Sequence, residues 1–279
     1  MKTRALILCC CVIFLLAVAV SSAFGAVRIV GHCLGPSPYS KIQDAVNAAT
    51  PYDTIIVCPG TYYETVLVDF SGNTDGVTIT STHVLAPALT HVIGGFKIVS
   101  DDVKLKGFKI TNGAPDNGIC VEISGSGATV VFNDVQYCQG GGIRINAISS
   151  GNTIAYNEVE YNDFFGINVE GQNNVIHDNL ILYNAPVDKN FGGIELADIS
   201  SNGKVYNNII KGNLPWGIKV EGDNYKIYKN KVCDGIFLQN SADNIEVYKN
   251  VVKNPPGIID NGATNVTSFA NIFPSRCGF

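Results

Sequence analysis

Methionine, histidine and tryptophan are scarce in this chain of 279 residues, and charged residues make up only 15% of it. The only methionine is Met1, so no thioether is available downstream for a Cu(I) site. The four histidines lack partners at metal-ligand spacing; they are His32, His83, His91 and His177. The sequence therefore predicts no metal and no cofactor. Calcium is left open but is not indicated, because no clear acidic cluster appears.

The N-terminus has the pattern of a secretory signal. Lys2 and Arg4 precede an apolar run at residues 5–20, and small residues follow as far as Gly25. The run is short for a membrane span. We predict a signal peptide at 1–25, cut after Gly25 or Ala23, and a mature domain at 26–279. That domain is expected to be secreted, extracellular or periplasmic, and not embedded in a membrane.

The charge balance argues against nucleic acid as a partner. Residues 1–25 contain two of the 19 basic residues and none of the 24 acidic ones. The mature chain therefore has 17 basic residues against 24 acidic ones, whereas nucleic-acid binding requires a basic surface. The sequence leaves the oligomeric state open.

Two sequence features recur along the chain at similar intervals. Gly-Ile pairs begin at positions 118, 142, 166, 193, 217, 235 and 257. Asparagines recur with them, at Asn133, Asn157, Asn179, Asn208, Asn230, Asn250 and Asn271. Periods of this length, with alternating apolar residues within each unit, predict a solenoid of short strands. We predict an all-β fold, a single-stranded right-handed parallel β-helix with regular repeats at 118–273.

The asparagines are predicted to be structural. Glycosylation is a poor explanation, because Asn265 alone in the asparagine-rich half begins an Asn-x-Ser/Thr triplet. Asparagine tolerates left-handed backbone, and its amide bonds to neighbouring backbone groups in turns. Repeated at one turn position, the seven residues would form a ladder along the stack.

An N-terminal helix at 38–50 is predicted to cover the end of the stack. Ser40 and Gln43 have the spacing of a capping box, and Ile42, Ala45, Val46 and Ala49 share one helical face. We also predict a disulfide between Cys33 and Cys58, which would fix the helix to the first coil. The sequence leaves the pairing of four further cysteines open, Cys120, Cys138, Cys233 and Cys277.

The predicted helix is followed by DTIIVCPGTYYETVLV, residues 53–68, and then by the repeat units. Together they resemble the pectate-lyase-like superfamily of right-handed parallel β-helices, and the units resemble NosD-like repeats. The superfamily includes lyases, hydrolases, esterases, epimerases and non-catalytic proteins, so the resemblance implies the fold rather than one activity. The NosD-like resemblance implies help in copper-site assembly, which the lack of methionine disfavours.

No complete catalytic motif of the superfamily's enzymes is present. Residues 73–76, Asn-Thr-Asp-Gly, resemble a polygalacturonase element, but the paired aspartate and the Gly-His-Gly that accompany it are missing. The motifs of pectin methylesterases and mannuronan epimerases are missing too. Asp75 is therefore interpreted as a turn residue.

Polar residues alternate with the apolar ones after each Gly-Ile step and are expected to form two columns on an exposed sheet. The first column is Cys120, Arg144, Asn168, Glu195, Lys219, Phe237 and Ile259. The second is Glu122, Asn146, Glu170, Ala197, Glu221, Gln239 and Asn261. Phe165, Phe191 and Trp216 lie just before the step and are candidate platforms for sugar rings.

We call the section of both columns from Arg144 to Phe237 the strip. It predicts a protein that binds polysaccharide or a cell-surface glycan, through Arg144, Asn168, Lys219, Glu221, Trp216, Phe165 and Phe237. Whether it is an enzyme is left open. If it is a lyase, hydrolase or epimerase, Glu170 or Glu195 would act as acid or base and Arg144 or Lys219 would contact a uronate. The alternative is a non-enzymatic scaffold, NosD-like or adhesive, with a solvated strip whose Glu195 and Lys219 neutralise each other.

Overall fold

The computed structural model describes residues 25–70, 76–113, 117–187 and 190–278. Apart from Gly25, the predicted signal peptide lies outside these residues, and so does Asp75. Nearly all regular structure in the described part is β-strand, as predicted.

The strands are short, and most span three to five residues. Their bounds are β1 Val27–Val30, β2 Thr54–Val57, β3 Gly60–Val68, β4 Thr78–Ser81, β5 Thr90–Ile98, β6 Lys104–Lys106, β7 Lys109–Thr111, β8 Ile119–Ile123, β9 Thr129–Val131, β10 Asp134–Gln136, β11 Gly141–Ile145, β12 Thr153–Ala155, β13 Glu158–Glu160, β14 Ile167–Val169, β15 Val175–His177, β16 Leu180–Leu182, β17 Gly192–Leu196, β18 Lys204–Tyr206, β19 Ile209–Lys211, β20 Trp216–Val220, β21 Lys226–Tyr228, β22 Lys231–Val232, β23 Ile236–Leu238, β24 Glu246–Tyr248, β25 Val251–Val252, β26 Ile258–Asp260 and β27 Thr267–Phe269. Helix α1 spans Ile42–Asn47, and a short 3-10 helix spans Pro87–Leu89.

The strands stack in parallel on three faces of a solenoid. Sheet A has the order β1-β2-β4-β6-β9-β12-β15-β18-β21-β24-β27. Sheet B runs β7-β10-β13-β16-β19-β22-β25, and sheet C runs β8-β11-β14-β17-β20-β23-β26. The long strand β5 pairs with β7 through its first half and with β8 through its second, which joins sheets B and C. Each coil thus adds about 4.8 Å to a stack without hairpins.

The core is a column of aliphatic residues inside the solenoid. Ile143, Ile167, Ile194 and Ile218 occupy one register position on sheet C, and all are fully buried. They are the residues after the recurring glycine, so the alternation in the sequence correctly predicts the inward face. Burial of these side chains is the main favourable contribution to folding.

Helix α1 covers the N-terminal end, but it is shorter than predicted and is capped differently. Its N-cap is Lys41, without a side-chain cap, so the predicted capping box of Ser40 and Gln43 is wrong. The Glu64 carboxylate on β3 accepts hydrogen bonds from the backbone N–H groups of Ile42 and Gln43 at 2.8 and 2.9 Å. A carboxylate from the next coil thus accepts hydrogen bonds from the first amides of the helix and interacts favourably with the helix dipole. A capping box within the helix is therefore unnecessary.

The predicted asparagine ladder is present between sheets A and B. In each pair, the backbone N–H and the Nδ2 of one asparagine both donate to the Oδ1 of the asparagine on the next coil, at 2.9–3.1 Å. Nδ2 also donates to a carbonyl on the preceding coil. The residue before each ladder asparagine has positive φ, from Phe132 to Ala270. The side-chain amides therefore provide hydrogen-bond partners for the buried backbone groups of a tight turn.

A second ladder, between sheets B and C, is not predicted from the sequence. Asn162, Asn184 and Asn213 are linked in the same way, and Asp234 accepts the last bonds, from the backbone N–H groups of Gly212 and Asn213. A carboxylate fits this end because all of its partners donate. The overlooked signal is an asparagine five residues after Asn157, Asn179 and Asn208.

The six cysteines of the described part form three disulfides. The predicted Cys33–Cys58 bond is present and attaches the segment before α1 to the end of β2. Cys120 pairs with Cys138, and Cys233 pairs with Cys277. The sequence leaves these two pairings open because the four residues do not fall at equivalent coil positions.

Candidate functional site

The predicted columns lie on the outward face of sheet C, with one change of register. Glu122, not Cys120, is the register partner of Arg144. The first column is therefore Lys97, Glu122, Arg144, Asn168, Glu195, Lys219, Phe237 and Ile259. The Gly-Ile pair at 118 is out of register with the other pairs. Ile119, the first residue of β8, pairs with Gly141, so Gly118 lies outside the strand and is not equivalent to Gly142. Cys120 is buried and disulfide-bonded.

The centre of the strip is much less exposed than predicted. Asn168, Glu195 and Lys219 are 4%, 6% and 8% exposed. The Asn190 carbonyl, before β17, accepts a hydrogen bond from Lys219 Nζ at 3.0 Å, a contact that the alternation cannot reveal. The expectation of a solvated face is wrong at these three residues.

The charges on the strip are paired within the protein. Arg144 forms an ion pair with Glu170 across one coil. Lys219 contacts two carboxylates, Glu195 at 3.3 Å and Glu221 at 3.0 Å. Glu195 Oε2 also accepts a hydrogen bond from Asn168 Nδ2 at 3.0 Å. Asn168, Glu195, Lys219 and Glu221 therefore form a connected network over three coils, and the Arg144–Glu170 pair lies apart from it.

Burial and these contacts shift the pKa values of Glu195 and Lys219 away from their ordinary values. Burial raises the pKa of Glu195, which Lys219 and Asn168 only partly offset. Burial alone would lower the pKa of Lys219, but its hydrogen bond to Glu221 and the charges of both carboxylates outweigh that effect and raise it. Burial thus makes Glu195 easier to protonate than an ordinary glutamate, although an ammonium lies beside it. Glu195 is suited to hold or donate a proton.

The aromatic candidates differ in how far they are available. Phe165 is only 5% exposed and its ring fills the space beside Gly141, where a Cβ would lie 2.4 Å from the ring. The prediction that Phe165 is a platform for a sugar ring is therefore wrong. Trp216 is half-buried and stacks on Phe237 with ring centroids 4.3 Å apart and planes within 5°. Its register partner on the preceding coil is Gly192, which has no side chain.

Two further features of the surface are not predicted from the sequence. A column of stacked rings runs along sheet A at spacings of 4.8–5.0 Å, formed by His177, Tyr206, Tyr228, Tyr248 and Phe269. These rings cover one another's faces, so the column supports the stack rather than offering platforms. The signal for it is an aromatic residue two positions before four successive ladder asparagines.

Carboxylates also meet on sheet B. Asp134 and Glu158 are register partners, and Lys109 Nζ lies 4.0 Å from Asp134. Burial, and then the Asp134 charge, raises the pKa of Glu158; burial, and then the Glu158 charge, raises that of Glu160. This cluster extends over fewer coils than the strip.

Within the described ranges, no group of three or more His, Cys, Asp or Glu side chains is arranged to hold a metal ion. No helix in the same part of the chain is long and apolar enough to cross a membrane.

Comparisons with known proteins agree with this architecture. Residues 66–232 match the family described as "Right handed beta helix region". The match covers more than half of the chain, so the protein belongs to this family of right-handed β-helix proteins. No curated protein shows significant sequence similarity to it.

Several solved structures share the fold at low sequence identity. An alginate lyase from Paenibacillus sp. str. FPU-7 aligns with a TM-score of 0.64 and 16% identity, over 83% of this chain and 92% of that one. The pectate lyase Pel9A aligns with a TM-score of 0.62 and 14% identity, over 92% and 80%. A DFA-IIIase from Arthrobacter chlorophenolicus A6 aligns with a TM-score of 0.55 and 12% identity, over 88% of both chains. At such identities the likeness shows the fold alone.

Proposed function

We propose that the protein is exported and binds polysaccharide along the strip on sheet C. The observation that carries this proposal is the register of that sheet. It places Arg144, Asn168, Glu195 and Lys219 in one column, with the Trp216 and Phe237 rings at its end. A linear array of hydrogen-bonding groups beside an aromatic ring is suited to an extended, hydroxyl-bearing chain. The polysaccharide lyases with the same fold make a glycan ligand a reasonable expectation.

Export is supported by the three disulfides, because such bonds persist in oxidising compartments. An acidic chain also makes a poor partner for nucleic acid.

If the bound chain is also modified, Glu195 is the better candidate for the proton-transfer role. Its pKa is raised by burial, and Lys219 and Asn168 hold its carboxylate in place. Glu170 is bound to Arg144 and is the second candidate. A pair of carboxylates in different environments is a common arrangement for acid and base roles.

The test is a panel of neutral and acidic polysaccharides, scored for retention on affinity gels and for product release, with and without calcium. The proposal predicts retention by the wild type that is lost in the triple variant Glu195→Ala, Lys219→Ala, Trp216→Ala. Because that variant removes buried groups, its melting must be checked, and Trp216→Ala alone should weaken retention. Tyr228→Ala is a matched control, since it removes a similarly stacked ring from sheet A and should retain binding.

The scaffold alternative is favoured by one observation, which is that the cations of the strip already have partners in the protein. No retention and no product across the panel would support a non-enzymatic scaffold, NosD-like or adhesive, and would contradict the proposed function.

A further inference from the structure

We propose that the strip selects a neutral, hydroxyl-rich polysaccharide and rejects a polyuronate. This inference rests on the proposed function and specifies its substrate class. It departs from the expectation that Arg144 or Lys219 would contact a uronate carboxylate. The inference follows from the ion pairs of the strip rather than from its amino-acid composition.

Both cations of the strip are already neutralised. Arg144 is bound by Glu170, and Lys219 is bound by Glu195 and Glu221. Two cations thus meet three carboxylates. Farther along the column, Lys97 and Glu122 are register partners of opposite charge, so they do not change the balance. A polyuronate would therefore meet a surface with one excess negative charge.

The carboxylates of these pairs also reach the surface. Side-chain exposure is 23% for Glu221 against 11% for Lys219, and 20% for Glu170 against 34% for Arg144. A uronate approaching Lys219 would encounter Glu221 first and would have to displace it. Carboxylates accept hydrogen bonds only, whereas a sugar hydroxyl both donates and accepts. At the Lys219 end of the strip the exposed carboxylate therefore suits hydroxyls and repels carboxylates, whereas the more exposed Arg144 is neutralised by Glu170.

Two buried atoms of the strip support the same conclusion. Arg144 Nε and Asn168 Oδ1 have no hydrogen-bond partner, although they belong to register partners on adjacent coils. One is a donor and the other an acceptor. A hydroxyl, from a sugar or an intervening water, can satisfy both, but a carboxylate can satisfy only Arg144. Both atoms lie below the surface, so a sugar hydroxyl would reach them only when the Arg144 side chain shifts.

The test compares gels bearing a neutral β-glucan, a neutral mannan, polygalacturonate and alginate at moderate ionic strength. We expect the wild type to bind at least one neutral polysaccharide about tenfold or more tightly than either polyuronate, since like-charge contacts cost more than that factor. The decisive variant is Glu170→Gln, Glu221→Gln, which leaves both cations in place and changes the charge of the strip from −1 to +1. It should raise polyuronate retention about tenfold or more, and added salt should abolish the gain.

The matched control is Glu158→Gln, Glu246→Gln, which makes the same change in net charge on sheets B and A. It should leave the ratio of neutral to acidic binding unchanged. Equal or tighter binding of a polyuronate by the wild type would overturn the inference while preserving polysaccharide binding. An unchanged ratio in the Glu170, Glu221 variant would also overturn it. A wild type that no gel retains would contradict the proposed function itself, and the inference with it.

Discussion

Replacement of Asn208 by alanine tests the structural role of the predicted ladder. Asn208 Oδ1 accepts hydrogen bonds from the backbone N–H and the Nδ2 of Asn179, both at 3.0 Å. Its own Nδ2 donates to the Ile176 and Tyr206 carbonyls and to Asn230 Oδ1, each at 3.0 Å. Alanine removes all five bonds from a site with no solvent exposure.

The expected loss of unfolding free energy is about 2 to 4 kcal/mol. Roughly 1–3 kcal/mol comes from the stranded Asn179 N–H, and about 1 kcal/mol from the lost bond to the Ile176 carbonyl. Guanidinium unfolding followed by far-UV circular dichroism measures the change, and polysaccharide retention should stay as in the wild type. Asn240→Ala is the control, because Asn240 is exposed and its loss should change stability by less than about 0.5 kcal/mol. Equal stability of the two variants, or lost retention with normal unfolding of Asn208→Ala, would refute a structural ladder.

Three further predictions concern stability. Replacing Cys33 and Cys58 together by alanine should lower it by about 3 kcal/mol, because the bond closes a loop between residues 25 apart in the sequence; equal melting with and without the bond would contradict this. Burial alone would raise the pKa of Asp53, but hydrogen bonds from Thr50, Ala26 and Arg28 lower it below 3.8. Its contribution is therefore present above pH 3.8 and lost as the pH falls through the native pKa, so the melting temperatures of wild type and Asp53→Asn should converge in acid. For Glu195 the sign is opposite: burial raises its native pKa above 4.5, so the wild type should gain stability relative to Glu195→Gln as the pH falls from neutral toward 4.5. Melting curves across pH check both predictions. Melting temperatures of wild type and Asp53→Asn that diverge in acid would contradict the first. A wild type that loses stability relative to Glu195→Gln as the pH falls would contradict the second.

The sequence predicts those parts of the fold that depend on repetition. The buried isoleucines, the seven-residue ladder and the parallel stack follow from residues that recur at equivalent positions on each coil. The Cys33–Cys58 bond is also predictable, because both residues flank the helix that has to be held against the first coil. Local chemistry and coil geometry agree at these positions.

The errors arise where one coil acts on another. Glu64 caps α1 from β3, so no local pattern reveals it. Lys219 donates a hydrogen bond to the Asn190 carbonyl on the preceding coil, a contact that the alternation within one strand cannot reveal. The register error at Cys120 arises because a Gly-Ile pair lies by coincidence near the expected spacing. The positions of the strip residues and the pairing of Glu195 with Lys219 were thus predictable, but their burial and the ion pairs with Glu170 and Glu221 were not.

The most direct test of polysaccharide binding at the strip uses its own fluorophore. Trp216 is the only tryptophan in the chain and lies on β20, the strand that also carries Lys219. Its emission, excited selectively over tyrosine, can be followed during titration with a polysaccharide that the affinity gels retain. Binding along the strip predicts a saturable change in Trp216 emission, with a midpoint that matches the affinity from the gels. Retention of the polysaccharide without any change in Trp216 emission would place binding elsewhere and contradict the proposed function of the strip.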